Sequence, residues 1–384
     1  MQYRFEPDEL IETAMKQTGL DRFSGDSFRE GLEVLTTDMS RLERTDAAYH
    51  VERDIFLGYL GMRLKIDDWL ETHPGLTDRS IEKPVFVFGL PRTGTTLISN
   101  LLAADPARRS LLTWEANDPV PPPRAGHLYD DPRARAQIEI ETQAKAANPE
   151  AFKYYRSSAV YPTEDVFPMA HDFKSLFWES HGKLPAYGEW LLTTDMHSAY
   201  AYHRRFLQVL QSEAPGIWNL KMPSHSLWLR TLLDFYPDAR LIWTHRDPFT
   251  AIGSLCSLIS SSHVRHVGHA DNRWIGQNYP AQAALHANRI MDVRDEIGEN
   301  RIYDLHYASV MRDPIGTMRD LYAWLGDDYT PEAEAAMRAW LADNPQGKFG
   351  RHEYRLAQFD LSEETVRPHL ERYLDRYAIE PEGS

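Results

Sequence analysis

Pro84-Val85-Phe86-Val87-Phe88-Gly89-Leu90-Pro91-Arg92-Thr93-Gly94-Thr95-Thr96-Leu97-Ile98 is the stretch from which the architecture follows. Val85 to Phe88 is an apolar run bounded by Pro84 and Gly89, with no polar residue alternating through it. A strand with one wet face alternates; an unbroken run suits a strand covered on both faces, as in a parallel sheet. After a tight loop, Leu97, Ile98, Leu101 and Leu102 fall on one side of a helix. The unit is strand, loop, helix.

Further strand-like runs lie downstream: Ile217-Trp218-Asn219-Leu220, Arg240-Leu241-Ile242-Trp243-Thr244 and Arg301-Ile302-Tyr303-Asp304-Leu305. Helical patterns separate them, at roughly 196–213, 226–236, 281–297 and 314–325, and residues 132–147 read as an exposed helix. Strands alternating with helices imply an α/β fold, a P-loop-like parallel sheet flanked by helices. Residues 1–80 carry helical spacing without a chemistry-bearing motif, which predicts an N-terminal helical cap on an α/β domain spanning 81–384. The segment 258–280, rich in Ser, His, Gly and Asn, reads as a long loop. Ser362, with Glu363 and Glu364 behind it, caps a final helix.

The chain has 384 residues, above the ~250–300 at which a single core usually stops growing, in keeping with a large domain plus a cap. Its 42 Lys+Arg against 57 Asp+Glu leave a net charge of −15, which repels phosphate on average and argues against a nucleic-acid partner. A local basic pocket for an anion remains compatible with that balance. Cys256 is the only cysteine, so neither an intrachain disulfide nor a thiolate zinc cluster is expected. Met1 to Glu6 lacks the pattern of a secretory signal, and no stretch nears ~18 apolar residues. The expectation is a cytoplasmic protein without a membrane span.

Gly89-x4-Gly94 matches the first part of a nucleotide-binding P-loop, whose backbone N–H groups and helix N-terminus cradle phosphate. In the triphosphate form a Lys follows the second glycine and reaches the β- and γ-phosphates. Here that position is Thr95, and the cation sits inside the loop as Arg92. A triphosphate with magnesium is poorly served. A nucleotide with one 5′-phosphate carrying a transferable group is served better, with Arg92 placed to stabilise the leaving oxygen. A second anion site follows the run at 240–244: Arg246 leaves the strand end, where ligands of open α/β sheets bind, and Ser254 lies eight residues on.

These motifs resemble the PAPS-dependent sulfotransferases, from about residue 84 onward. Their 5′-phosphosulfate loop is similar to Pro91-Arg92-Thr93-Gly94-Thr95-Thr96, and their 3′-phosphate pair to Arg246 and Ser254. The PRTGTT loop is most similar to the large bacterial branch. A loop that closes over the nucleotide in that family resembles Gly347 to His352, and so nominates Lys348, Gly350 and Arg351. The resemblance implies 3′-phosphoadenosine 5′-phosphosulfate (PAPS) as sulfate donor and a small, apolar or amphipathic hydroxyl acceptor. No metal is expected, because the phosphosulfate bond already activates the sulfuryl group.

Transfer to a hydroxyl needs a proton acceptor. Three candidates stand in the sequence. Glu164, beside Asp165 in Pro162-Thr163-Glu164-Asp165-Val166-Phe167, ranks first, because apolar surroundings raise a carboxyl's pKa. His225 ranks second, four residues after Lys221; the animal branch has its base two after the Lys. Glu115, 21 residues after Gly94, ranks third. Lys221 is placed to contact the sulfuryl group. Tyr154, Tyr155, Tyr161, Phe167, Phe173, Phe177 and Trp178 suggest an apolar acceptor pocket. His263, His266 and His269 are read as lining residues or solvated surface rather than metal ligands. Two rivals remain, a P-loop kinase and a non-catalytic nucleotide-binding protein on the same fold. Oligomeric state stays open, since the family's short dimerisation motif is not matched around Thr365-Val366.

Overall fold

Val85, Phe86, Val87 and Phe88 are all fully buried, and they divide between two cores. Phe86 and Phe88 join one apolar cluster; Val85 and Val87 join the other, with Ile98, Leu101 and Met318. Successive strand side chains point to opposite faces, so a strand covered on both sides has no place for a polar residue. The computed structural model describes residues 3–147, 158–345 and 355–382.

The strands are β1 (Val85–Gly89), β2 (Arg108–Ser110), β3 (Ile217–Lys221), β4 (Arg240–His245) and β5 (Ile302–His306). They form one sheet in the order β2-β3-β1-β4-β5, every pair parallel. Val87 stands opposite both Lys221 and Ile242, Gly89 opposite Thr244, and His245 opposite His306. The carboxyl ends of the central strands therefore open on one edge, and the residues that follow them meet there.

The N-terminal segment forms the helices Pro7–Thr18, Phe28–Met39 and Asp46–Thr72. Thr45 caps the third by accepting from the Ala48 amide. Phe56 from that helix stacks on Trp178, ring centroids 5.2 Å apart, and Arg63 donates to Asp172 over 3.0 Å. Leu35, Phe56 and Leu60 of these helices belong to the same apolar cluster as Phe86 and Trp243.

One expectation needs correction. Residues 258–280 are not a loop: the helix Pro248–Val267 runs to Gly268, and a second begins at Asn272. Gly268 ends the first in the left-handed conformation (φ +83°), and Asp271 caps the second through the Trp274 amide. Packing of the two helices on each other outweighs the weak helix preference of their Ser, His and Asn residues. The edge strand β2 has no apolar run to announce it. Its arginines are buried by ion pairing, Arg108 with Asp327 and Arg109 with Glu115.

Candidate functional site

The loop after β1 is held by side chains and by unusual backbone. Gly94 has φ +96°, and a Cβ there would lie 2.6 Å from Tyr307 Cδ2. Arg92 takes φ +72°, a conformation that non-glycine residues seldom adopt. Thr93 Oγ1 donates to the Leu90 carbonyl and lies 2.6 Å from Thr244 Oγ1, which ties the loop to β4. The helix Thr95–Ala104 starts from Gly94 with no side-chain cap, so its positive end faces the loop.

The two predicted anion sites come together. Arg92 Nε donates to Ser254 Oγ over 3.0 Å, and Arg246 Nη1 donates to the Arg92 carbonyl over 3.0 Å. The Arg246 guanidinium lies over the Tyr307 ring at 4.5 Å. Asp247 accepts from the Phe249 amide and starts the helix that carries Ser254. Two guanidiniums, a hydroxyl and a helix N-terminus in one place form a donor set suited to a phosphorylated ligand. Pro91, Thr95 and Thr96 belong to the same loop, with Thr95 buried and the Thr96 carbonyl accepting from Asn100.

The three base candidates have different surroundings. Glu164 is the most open: its side chain is 30% exposed, and Oε1 accepts from Lys221 Nζ at 2.5 Å. Lys221 is the last residue of β3, beside β1 and next to the loop's own strand. His225 lies in the interior. It is wholly buried, with Nε2 3.0 Å from Asp165 Oδ2 and Nδ1 2.8 Å from Tyr200 OH. Both nitrogens are occupied, and burial holds the imidazole below its usual range against the pull of Asp165. An imidazole so enclosed has no nitrogen facing an acceptor. Glu115 is enclosed as well: fully buried, it accepts from both terminal nitrogens of Arg109 and from the Leu112 amide. That arrangement neutralises a buried arginine.

Asp165, next to Glu164, shows that burial alone does not raise a carboxyl. Desolvation pushes it up, but the hydrogen bond with His225 and the 3.3 Å approach of His203 Nε2 outweigh that, and its pKa falls below the usual carboxylate range. Each histidine is backed by a tyrosine, His225 by Tyr200 and His203 by Tyr236. The Asp165 amide also donates to the Lys221 carbonyl over 3.1 Å. This interior network lies directly behind the Glu164–Lys221 pair.

Of the suggested acceptor aromatics, Phe173 and Trp178 are fully buried and stack on each other in the core, so they line no pocket. Phe167 and Phe177 are partly exposed and pack together at 5.4 Å. Tyr154, Tyr155, Lys348, Gly350 and Arg351 lie outside the described residues. His263 bonds the Glu179 carbonyl, while His266 joins His181 at Glu52, the two rings stacked 3.9 Å apart. Tyr307 and Thr244 escaped the sequence reading. Their signal was position, since each lies at or just beyond the carboxyl end of a parallel strand. Among the described residues no helix is long and apolar enough to cross a membrane.

Residues 84–331 match the sulfotransferase family. The chain is similar to the sulfotransferase STF9 from Mycobacterium avium, with 40% identity, 98% of each chain covered and a TM-score of 0.92. It is also similar to the sulfotransferase STF1 from Mycobacterium tuberculosis H37Rv, with 30% identity, 96% of this chain and 99% of that one covered, and a TM-score of 0.85. The omega-hydroxy-beta-dihydromenaquinone-9 sulfotransferase Stf3 of Mycobacterium tuberculosis is 25% identical over 315 residues, 78% of this chain and 77% of that protein.

Proposed function

The chain belongs to the sulfotransferase family, and we propose that it moves a sulfuryl group from PAPS to a hydroxyl of a small, apolar or amphipathic acceptor. The observation that carries this reading is the meeting of Arg92, Ser254 and Arg246 within hydrogen-bond reach. When bound, the donor supplies a sulfuryl group already activated by its phosphosulfate bond.

The chain's own groups divide the work. The backbone from Arg92 to Thr96 and the start of the helix Thr95–Ala104 hold the 5′-phosphate. Arg92 offsets charge that grows on the leaving oxygen. Arg246 and Ser254 hold the 3′-phosphate. Lys221 turns its ammonium toward the transferring group, and in doing so releases Glu164. Glu164 then accepts the proton of the acceptor hydroxyl. The resemblance assigns nucleotide contacts to Lys348, Gly350 and Arg351 as well. The acceptor class rests on the partly exposed Phe167 and Phe177 near Glu164 in the chain. It is supported by the name of Stf3, whose acceptor carries its hydroxyl on an apolar molecule.

Two measurements test the reading. Saturating 3′,5′-bisphosphoadenosine is expected to raise the melting temperature, since a ligand at ~100 times its Kd adds about 2.7 kcal/mol. Labelled sulfate is expected to pass from PAPS to members of a hydroxyl-acceptor panel. Stabilisation by ATP with magnesium, and none by the bisphosphate, would favour the kinase reading. Bisphosphate binding without transfer to any acceptor would favour a non-catalytic nucleotide-binding protein.

A further inference from the structure

Beyond the helix Glu363–Arg376, the chain folds back as residues 377–382 across the carboxyl ends of β4 and β5. Three contacts seat this segment. Arg294 Nη1 donates to Tyr377 OH (2.7 Å), Arg312 Nη2 to Glu380 Oε1 (3.2 Å), and the Glu382 amide to Asp247 Oδ2 (3.2 Å). The segment walls one side of a cleft of about 570 Å³, with Arg246, His306 and Tyr307 on the other.

A fourth contact lies at the donor site. Arg246 Nε and Nη2 donate to the two carboxylate oxygens of Glu382, at 2.6 and 2.7 Å. This is the paired geometry with which a guanidinium also grips phosphate. The same cation gives Nη1 to the Arg92 carbonyl and lays its face on Tyr307. An anion arriving for bidentate contact therefore meets the edge that Glu382 already holds.

Resting on the donor reading above, we propose that Glu382 is a specificity-determining competitor for the ribose-side phosphate. A 3′-phosphate dianion takes the Nε–Nη2 edge from the singly charged carboxylate, and the Glu382 side chain swings away. A nucleotide without that phosphate leaves the pair intact. Glu382 thus sets how much of the 3′-phosphate's attraction to Arg246 appears as affinity.

The test compares the full chain with its Glu382→Gln and Arg246→Ala variants by calorimetric titration, using 3′,5′-bisphosphoadenosine and adenosine 5′-monophosphate. Glu382→Gln is expected to bind the bisphosphate about two- to fivefold tighter, the scale of a partly exposed ion pair, and the monophosphate unchanged. Unchanged or weaker bisphosphate binding overturns the proposal. An equal gain for both nucleotides also overturns it, because the segment would then obstruct the whole cleft. Arg246→Ala separates the two readings. If it binds the bisphosphate as well as the parent does, the donor site itself is misassigned. If it weakens the bisphosphate while Glu382→Gln brings no gain, the competition alone fails.

Discussion

Arg92 and Ser254, 162 residues apart in the chain, are joined by a 3.0 Å hydrogen bond from the guanidinium Nε to the hydroxyl. One belongs to the turn after β1 and the other to the helix after β4, so the bond joins the two proposed phosphate sites into one unit. Ser254→Ala is expected to weaken 3′,5′-bisphosphoadenosine by about 10- to 150-fold, the value of one hydrogen bond to a charged group. Folding stability is expected to change little, because Ala is a good helix residue. Arg92→Lys keeps the charge but loses the directed Nε–H, and kcat/KM should fall by about 10- to 100-fold. Full activity in the Lys variant would show that charge alone suffices there.

Gly94 and Tyr307 form the other seam of the site. A methyl at Gly94 would stand 2.6 Å from the Tyr307 ring, in a backbone conformation (φ +96°) that disfavours any side chain. Gly94→Ala should cost about 1–3 kcal/mol by thermal denaturation. Tyr307 also carries the Arg246 guanidinium, so displacing the ring should weaken bisphosphate binding as well. With Tyr307→Ala added, the clash disappears. The double variant should then be more stable than the sum of the two single losses predicts. Strict additivity would mean that the ring is not the obstacle.

Glu179 gives a pH-dependent prediction. It is buried beside Gly188, with Oε2 accepting from Gln282 over 3.0 Å. Burial pushes its carboxyl up from 4.5 to about 7, against the opposing pull of the Gln282 hydrogen bond. The folded state thus keeps a proton that the unfolded chain releases above pH 4.5. Stability is fully present below that pH and is lost as pH rises through 7. Glu179→Gln removes the ionisation, so it should stabilise at pH 8 by up to about 3 kcal/mol and bring no such gain at pH 4.5. Equal shifts in melting temperature at both pH values would refute the assignment.

The parallel sheet was legible because β1 and β4 are apolar runs between turn residues, and nothing but two-sided burial explains such runs. β2 was not, since Arg108 and Arg109 look like surface residues until Asp327 and Glu115 neutralise them from distant or unpredictable positions. The Ser- and His-rich helix after β4 was hidden by composition, while its caps, Asp247 and Gly268, were visible in the chain. Arg92, Arg246 and Ser254 could be singled out because they follow recognisable strands, and the fold brings them within hydrogen-bond reach. The acids could not be ranked that way. Glu115, Glu164 and Asp165 are chemically alike in sequence, and only their partners separate a buried counterion from an open carboxylate.

Glu164 and His225 therefore call for opposite outcomes. Glu164 is partly exposed and touches Lys221, whereas His225 is enclosed between Asp165 and Tyr200. Glu164→Gln should lower kcat by about 100-fold or more, and leave bisphosphate affinity within about twofold. Turnover within about tenfold of the parent, at unchanged nucleotide affinity, would remove Glu164 from the reaction. His225→Gln should instead cost about 1–3 kcal/mol of stability, because Asp165 and Tyr200 lose a buried partner. Its turnover per folded molecule should stay near that of the parent, with the same pH profile. The contrast separates a chemical role from a structural one, because stability and kcat are measured on the same preparations. A His225→Gln protein with normal melting temperature and kcat reduced 100-fold or more would hand the proton-accepting role back to the imidazole.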